Sequence, residues 1–304
     1  MWLDRVFQQE SMCGAGLSGP PHLAPAHGGT VTPMEGRFTV DSNTLTAHLA
    51  RPARAPAVQP AAVIVHGFPT EAGGGINSTR TMPALAEVIA AETGFAALTY
   101  ASRGVAGSEG DFSLDGWRRD LAGAVDFLAS EVACDGIWLI GFGTGGALAV
   151  VAASRDERVR GVAAVAAPAD FEDWARNPRK LLVWAREVGV VSDPEFPERF
   201  DRWAAEIRSV RAVEAAESLG DRSLLVLHGS DDETVPVFDA RVLADAHPGA
   251  DLRIISGAGH HLRHDPRAVA VLLGWLERQR QSLLALVSAG ESNGSAGPSR
   301  RPSG

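Results

Sequence analysis

Lysine is almost missing from this chain: among 28 basic residues only Lys180 is one, and Tyr100 is the single tyrosine in 304 positions. Cysteine is nearly as scarce. Cys13 and Cys134 share neither a redox nor a metal-ligand spacing, which excludes a disulfide scaffold and points to a reducing cytoplasm. No metal or cofactor site is expected. Positive charge is not in excess either. A net charge of −9 and a pI near 5.5 argue against a polyanion-binding face, and so against nucleic acid as a partner. The N-terminus carries Asp4 and Glu10 and lacks an apolar core of secretory length, so it does not read as a signal peptide.

Long apolar runs are absent, with one exception. Residues 136–154 carry no charge and reach the length of a membrane span. Four glycines (Gly141, Gly143, Gly145 and Gly146) interrupt that run, and its first half is β-branched or aromatic. A buried strand, a sharp turn and a helix explain it better, so no membrane span is expected.

What is present fits one large α/β domain, since 304 residues with 45% hydrophobic side chains bury a substantial core. Residues 1–33 are rich in Gly, Pro, Ala and His without periodicity and read as poorly ordered. The low-complexity stretch 288–304 reads as a disordered tail. Between them, over 34–287, strand and helix signals alternate. "RFTV" and "LTAHLA" suggest a leading antiparallel hairpin. "AAVIVHG", "AALTYA", "IWLIG", "VRGVAAVAAP", "SLLVLHG" and "LRIISGAG" read as strands. Helices are expected around 81–92, over 114–130 from the spacing of Leu114, Trp117, Leu121, Val125 and Leu128, and from Pro266 to about Leu286. The alternation implies a mostly parallel sheet with helices on both faces. Residues 170–215 carry no buried-strand signal and read as a helical insertion or lid. Its Trp174, Trp184, Phe196, Phe200 and Trp203 either face a pocket or pack the lid itself.

Four polar features end predicted strands: His66-Gly67-Phe68-Pro69, "GFGTGG", Asp231-Asp232 in "HGSDDETVP", and His260-His261 in "GAGHHLRHDP". Active sites of open parallel sheets gather at the carboxyl ends of strands, so all four should meet on one edge. With "RGVAGSEGDF" at 103–112, their order resembles the α/β-hydrolase superfamily, especially bacterial serine hydrolases of the esterase, acyltransferase and serine-aminopeptidase type. The resemblance spans about residues 37–285 and implies an α/β-hydrolase fold with a small helical lid.

It also implies roles. Asp232 matches the acid, with Asp231 as its neighbour, and His260 matches the base, with His261 second. The backbone N–H groups of Phe68 and Thr144 match an oxyanion hole. His66 and Gly67 would shape that loop, and Trp184 is a further binding candidate. His228 and His264 read as packing or surface residues. The nucleophile register, set by Gly141 and Gly145 as its small flanks, falls on Gly143, which has no side chain. Thr144 is the disfavoured alternative nucleophile, because moving the register puts Phe142 on a small flank and turns the hydroxyl away from His260.

Two readings therefore stand. One is a silent or weakly active hydrolase relative that binds a small carbonyl-containing ligand of ester or amide type. The other is an enzyme in which His260 and Asp232 activate water or move a proton without an acyl-enzyme. The sequence leaves the oligomeric state open.

Overall fold

A computed structural model of the chain describes residues 30–70 and 76–294. The expected poorly ordered start lies outside that range up to residue 29, and the expected tail lies outside it from residue 295. Strand β1 (Val31–Val40) nevertheless begins inside the first of these stretches. Pro33 sits within it opposite Ala50, which an edge strand tolerates because one row of its N–H groups has no ladder partner. Strand β2 (Asn43–Pro52) returns antiparallel. The loop residues Asp41 and Ser42 have φ of 49° and 71°, the left-handed pair a two-residue hairpin needs.

Six further strands follow: β3 (Pro60–Val65), β4 (Ala96–Tyr100), β5 (Gly136–Phe142), β6 (Val159–Val165), β7 (Ser223–Gly229) and β8 (Asp251–Ile255). The sheet order is β1-β2-β4-β3-β5-β6-β7-β8. Strand β2 runs antiparallel to both neighbours, and every other pair is parallel. Strands β3, β4 and β5 are buried at every residue, as unbroken apolar runs covered on both faces should be. This is the expected α/β-hydrolase architecture.

Helices cover both faces. On one side α1 (Ile76–Thr93) and α9 (Pro266–Gly294) close a core around Leu85, Ile89, Ile140 and Leu276. On the other, α2 (Leu114–Glu131), α3 (Thr144–Ala153) and α8 (Val237–Asp245) close a second core, which continues into the lid. Helix α2 starts where Ser113 accepts a hydrogen bond from the Gly116 N–H, and it buries all five residues whose spacing announced it. Each such side chain contributes on the order of 2 kcal/mol by leaving water. The same stripe holds Asp120, whose carboxylate is buried because Arg103 binds it from Nε at 3.0 Å and Nη2 at 2.6 Å.

The insertion between β6 and β7 is helical as expected: α4 (Glu172–Arg176), α5 (Pro178–Glu187), α6 (Phe200–Ile207) and α7 (Ala212–Glu217). Helix α9 runs through Gly294, past the expected end near Leu286 and into the expected tail. It passes through Gly290 before it ends at Gly294. Among the described residues, no helix is long and apolar enough to cross a membrane.

Candidate active site

The elbow is built by subtraction. Strand β5 ends at Phe142 and α3 begins at Thr144, so the chain reverses direction through Gly143 alone. Gly143 has φ 53° and ψ −124°, a conformation that costs any other residue on the order of 1–3 kcal/mol. The turn is tight enough to exclude side chains beside it. A Cβ on Gly141 would lie 2.3 Å from the Gly145 carbonyl oxygen, and one on Gly145 would lie 2.4 Å from that of His66. At Gly143 the situation differs: a Cβ would meet His260 Nε2 at 3.5 Å and Gly67 Cα at 3.8 Å, ordinary contact distances. A side chain at the tip would therefore fit, and it would point at the imidazole.

That imidazole is held from behind. His260 Nδ1 lies 2.8 Å from Asp232 Oδ2, so Nδ1 carries the proton it donates, and the Nε2 lone pair faces the elbow. The Asp232 side chain is fully buried. Its Oδ1 accepts the backbone N–H groups of Thr234 at 2.9 Å and Val235 at 2.8 Å. Burial pushes the carboxyl pKa up. The N–H donors from His228, His260 and the Val235 backbone outweigh burial and hold it well below the usual carboxylate range.

His228, which the sequence presents as a packing or surface residue, is the third member of this cluster. Its Nε2 lies 2.9 Å from the Val235 carbonyl oxygen and 3.3 Å from Asp232 Oδ2. Both neighbours are acceptors, so Nε2 carries the proton. The buried Nδ1 has no hydrogen-bond partner among the described residues. The alternatives are placed differently. Asp231 is exposed and takes the Ser230 hydroxyl, while His261 is exposed with its ring 5.7 Å from that of His260.

On the other side of the tip, His66 is buried with both nitrogens engaged. Its Nδ1–H donates to the Gly67 carbonyl at 2.8 Å, and its Nε2 accepts from the Ser102 N–H at 3.0 Å. Burial holds its pKa below the ordinary value, consistent with a neutral ring that ties the loop to the end of β4. Phe68 follows, and its ring is the hub of an aromatic cluster. Phe112 and Trp184 lie 4.8 Å away, Trp174 5.3 Å and Trp117 5.8 Å, between centroids. Trp174, Trp184 and Trp203 of the insertion are all buried. The lid aromatics thus pack on the loop and on one another, and Trp184 presents its face to Phe68. Helix α3 has no side-chain cap, and its Gly146 N–H is taken by the Gly143 carbonyl at 2.9 Å.

The structure thus brings Gly143, Thr144, Phe68, Asp232 and His260 to one edge of the sheet. Within that set a buried carboxylate fixes the tautomer of an imidazole whose Nε2 faces the turn. No group of three or more His, Cys, Asp or Glu side chains suited to a metal ion occurs among the described residues.

Comparison with known proteins agrees with the fold. The model of the X-Pro dipeptidyl-peptidase family (S15) matches residues 41–241. No curated protein matches the sequence. Among solved structures, Est1E from Butyrivibrio proteoclasticus aligns with a TM-score of 0.63 at 21% identity, over 83% of this chain and 99% of that one. An esterase from Pyrococcus furiosus aligns at 0.59 and 15% identity, over 87% and 98%. The α/β-hydrolase GrgF from Penicillium aligns at 0.59 and 20% identity, over 84% and 98%. At these identities the structures speak for the fold alone.

Proposed function

Since the chain belongs to the X-Pro dipeptidyl-peptidase (S15) family of α/β-hydrolases, we propose that it binds a carbonyl compound of ester or amide type at the elbow and forms no acyl-enzyme. The observation that carries this reading is Gly143 itself, in the strained conformation of an elbow tip and within contact range of the base, with no atom to attack. Thr144 is not at the tip but one position further on, where α3 begins.

Loss of the attacking atom is decisive in magnitude. Removing a triad nucleophile costs about 10⁶ in turnover, roughly 8 kcal/mol of transition-state stabilisation. Relief of backbone strain at the tip, on the order of 1–3 kcal/mol, acts on stability and does not restore it. The surviving donors and binding surface retain about 10³–10⁴ over water at most. A carbonyl pocket without covalent chemistry is the result.

One observation favours a second reading, direct activation of water by His260. The dyad is fully assembled: Asp232 takes two backbone N–H groups and two imidazoles, and His260 presents Nε2 to the elbow. A panel of esters, amides and lactones separates the two. The first reading expects a ligand that raises the melting temperature, by an amount that grows with ligand concentration as binding linkage requires, without turnover above His260→Ala. Turnover that His260→Ala abolishes would move the protein to the second reading. Absence of any stabilising ligand would count against both.

A further inference from the structure

Strand β1 ends the sheet, and among the described residues β2 is its one paired neighbour. Which of its backbone groups face outward follows from what β2 does with its own. Thr44 donates its N–H to Glu109 Oε2 at 2.7 Å and accepts the Glu109 N–H at 3.0 Å. Thr46 donates to Ser108 Oγ at 3.0 Å and accepts from the Ala101 N–H at 2.9 Å. Both therefore turn away from β1, and their partners in register, Thr39 and Arg37, direct N–H and C=O to the open edge. At the far end the Ala53 N–H donates to the Thr30 carbonyl at 2.8 Å, which sets the same alternation. Even positions of β1 bond to β2, and odd positions face outward. The open row is thus Pro33, Glu35, Arg37 and Thr39. A proline with no N–H bounds it at one end, and the Asp41–Ser42 turn bounds it at the other.

We propose that this row docks a second copy of the chain, antiparallel about a two-fold axis at Gly36, so that the two sheets join edge to edge. Complementary charge is the observation that selects this occupant. About Gly36 each Glu35 stands opposite Arg37 of the second copy, and opposite charges across a strand pair are favourable. Moving the axis by one residue sets Glu35 against Glu35, or Arg37 against Arg37, which is unfavourable. Glu35 is free to take part: its side chain is 84% exposed although one oxygen meets His48 Nδ1.

The same axis satisfies the backbone and the other face. Each pair of Glu35 and Arg37 exchanges two backbone hydrogen bonds, and each Thr39 N–H reaches the Pro33 carbonyl of the second copy. The ladder therefore stops at the proline on one strand where the turn begins on the other. On the opposite face Met34 falls beside Phe38 of the second copy, next to Phe38's own stack on Phe127, with ring centroids 5.2 Å apart. Backbone bonds hold such a pair, while exposed charges add little strength and fix its register. The contact uses the same patch on both copies and consumes the edge, so it closes at a dimer. It does not depend on the chemistry of the elbow.

The test measures the mass of the full-length protein by light scattering after size exclusion, over a dilution series through the micromolar range. A dimer that dissociates on dilution is expected. Arg37→Glu sets carboxylate against carboxylate and should weaken the dimer by about tenfold or more, and adding Glu35→Arg to that variant should restore it. Thr39→Pro removes an outward N–H that β2 does not use and should weaken it by about the same factor. Circular dichroism checks that each variant is folded. Should a variant fail to fold, hydrogen exchange on the unaltered protein still decides. The amides of Glu35, Arg37 and Thr39 should lose protection on dilution, while those of Phe38 and Val40, bonded to β2, should not. A monomer at every concentration, a dimer indifferent to Arg37→Glu and Thr39→Pro, or a folded double variant no tighter than Arg37→Glu would overturn the proposal. So would edge amides protected equally at every dilution, which would give the edge to another segment of the same chain.

Discussion

Beyond β7 and β8 the candidate site is held by polar side chains, and beyond β5 it is held by their absence. Asp232 gathers four N–H groups onto one buried carboxylate, two from its own loop and two from His228 and His260. The elbow gathers glycines instead, at Gly141, Gly143, Gly145 and Gly146, so that backbone can touch backbone. The first half stores chemistry in hydrogen bonds, and the second stores shape in close approach. Catalysis by acyl transfer needs both halves and one attacking atom between them. Between the two halves stands Gly143, which has no side chain, and halves built so differently should respond to substitution in different ways.

The largest effect is expected where the elbow is tightest. Gly145→Ala forces a methyl group to within 2.7 Å of the Val65 and His66 carbonyls, and should cost about 4 kcal/mol or more in urea unfolding. Asp232→Ala comes next, at about 3 kcal/mol, since it strands buried donors that the carboxylate now satisfies. The pH dependence sharpens this. A carboxylate whose folded pKa is depressed contributes stability that is fully present above its unfolded value of about 3.9 and is lost as pH falls toward the folded one. The stability gap between the unaltered protein and Asp232→Ala should therefore be flat above about pH 5 and shrink below about pH 4.

His228→Leu should cost about 2 kcal/mol, because it removes a donor from Asp232 Oδ2 while filling similar space. The smallest effect is expected at the tip. Gly143→Ala meets only ordinary contacts and should cost about 1 kcal/mol of backbone strain, read as a modest fall in melting temperature. An elbow that tolerated alanine at Gly145 as well as at Gly143 would break the comparison.

Much of this fold is legible in the sequence because its signals are local. Buried strands such as β3 and β5 are short apolar runs, and α2 shows its inward stripe at helical spacing. Asp232 and His260 could be named because each follows a strand within a recognisable loop. What escaped depends on distance through space. His228 precedes Asp232 by four residues, a spacing that means little at the end of a strand until the loop folds back over it. Asp120 reads as one more polar residue on α2, and only the buried Arg103, seventeen positions earlier, explains its place on the inward face. The lid tryptophans are equally ambiguous in sequence. Packing against Phe68 gives them a role that composition alone leaves open. Strand β1 hides in a Pro-containing stretch because only an edge position makes proline acceptable there.

The most direct measurement of the central claim is fluorophosphonate labelling of the unaltered protein beside Gly143→Ser, read by intact mass. The account predicts no adduct on the unaltered protein and one adduct on the variant, whose new Oγ would stand next to His260 Nε2. An adduct on the unaltered protein would reveal another nucleophile in the site and contradict the account.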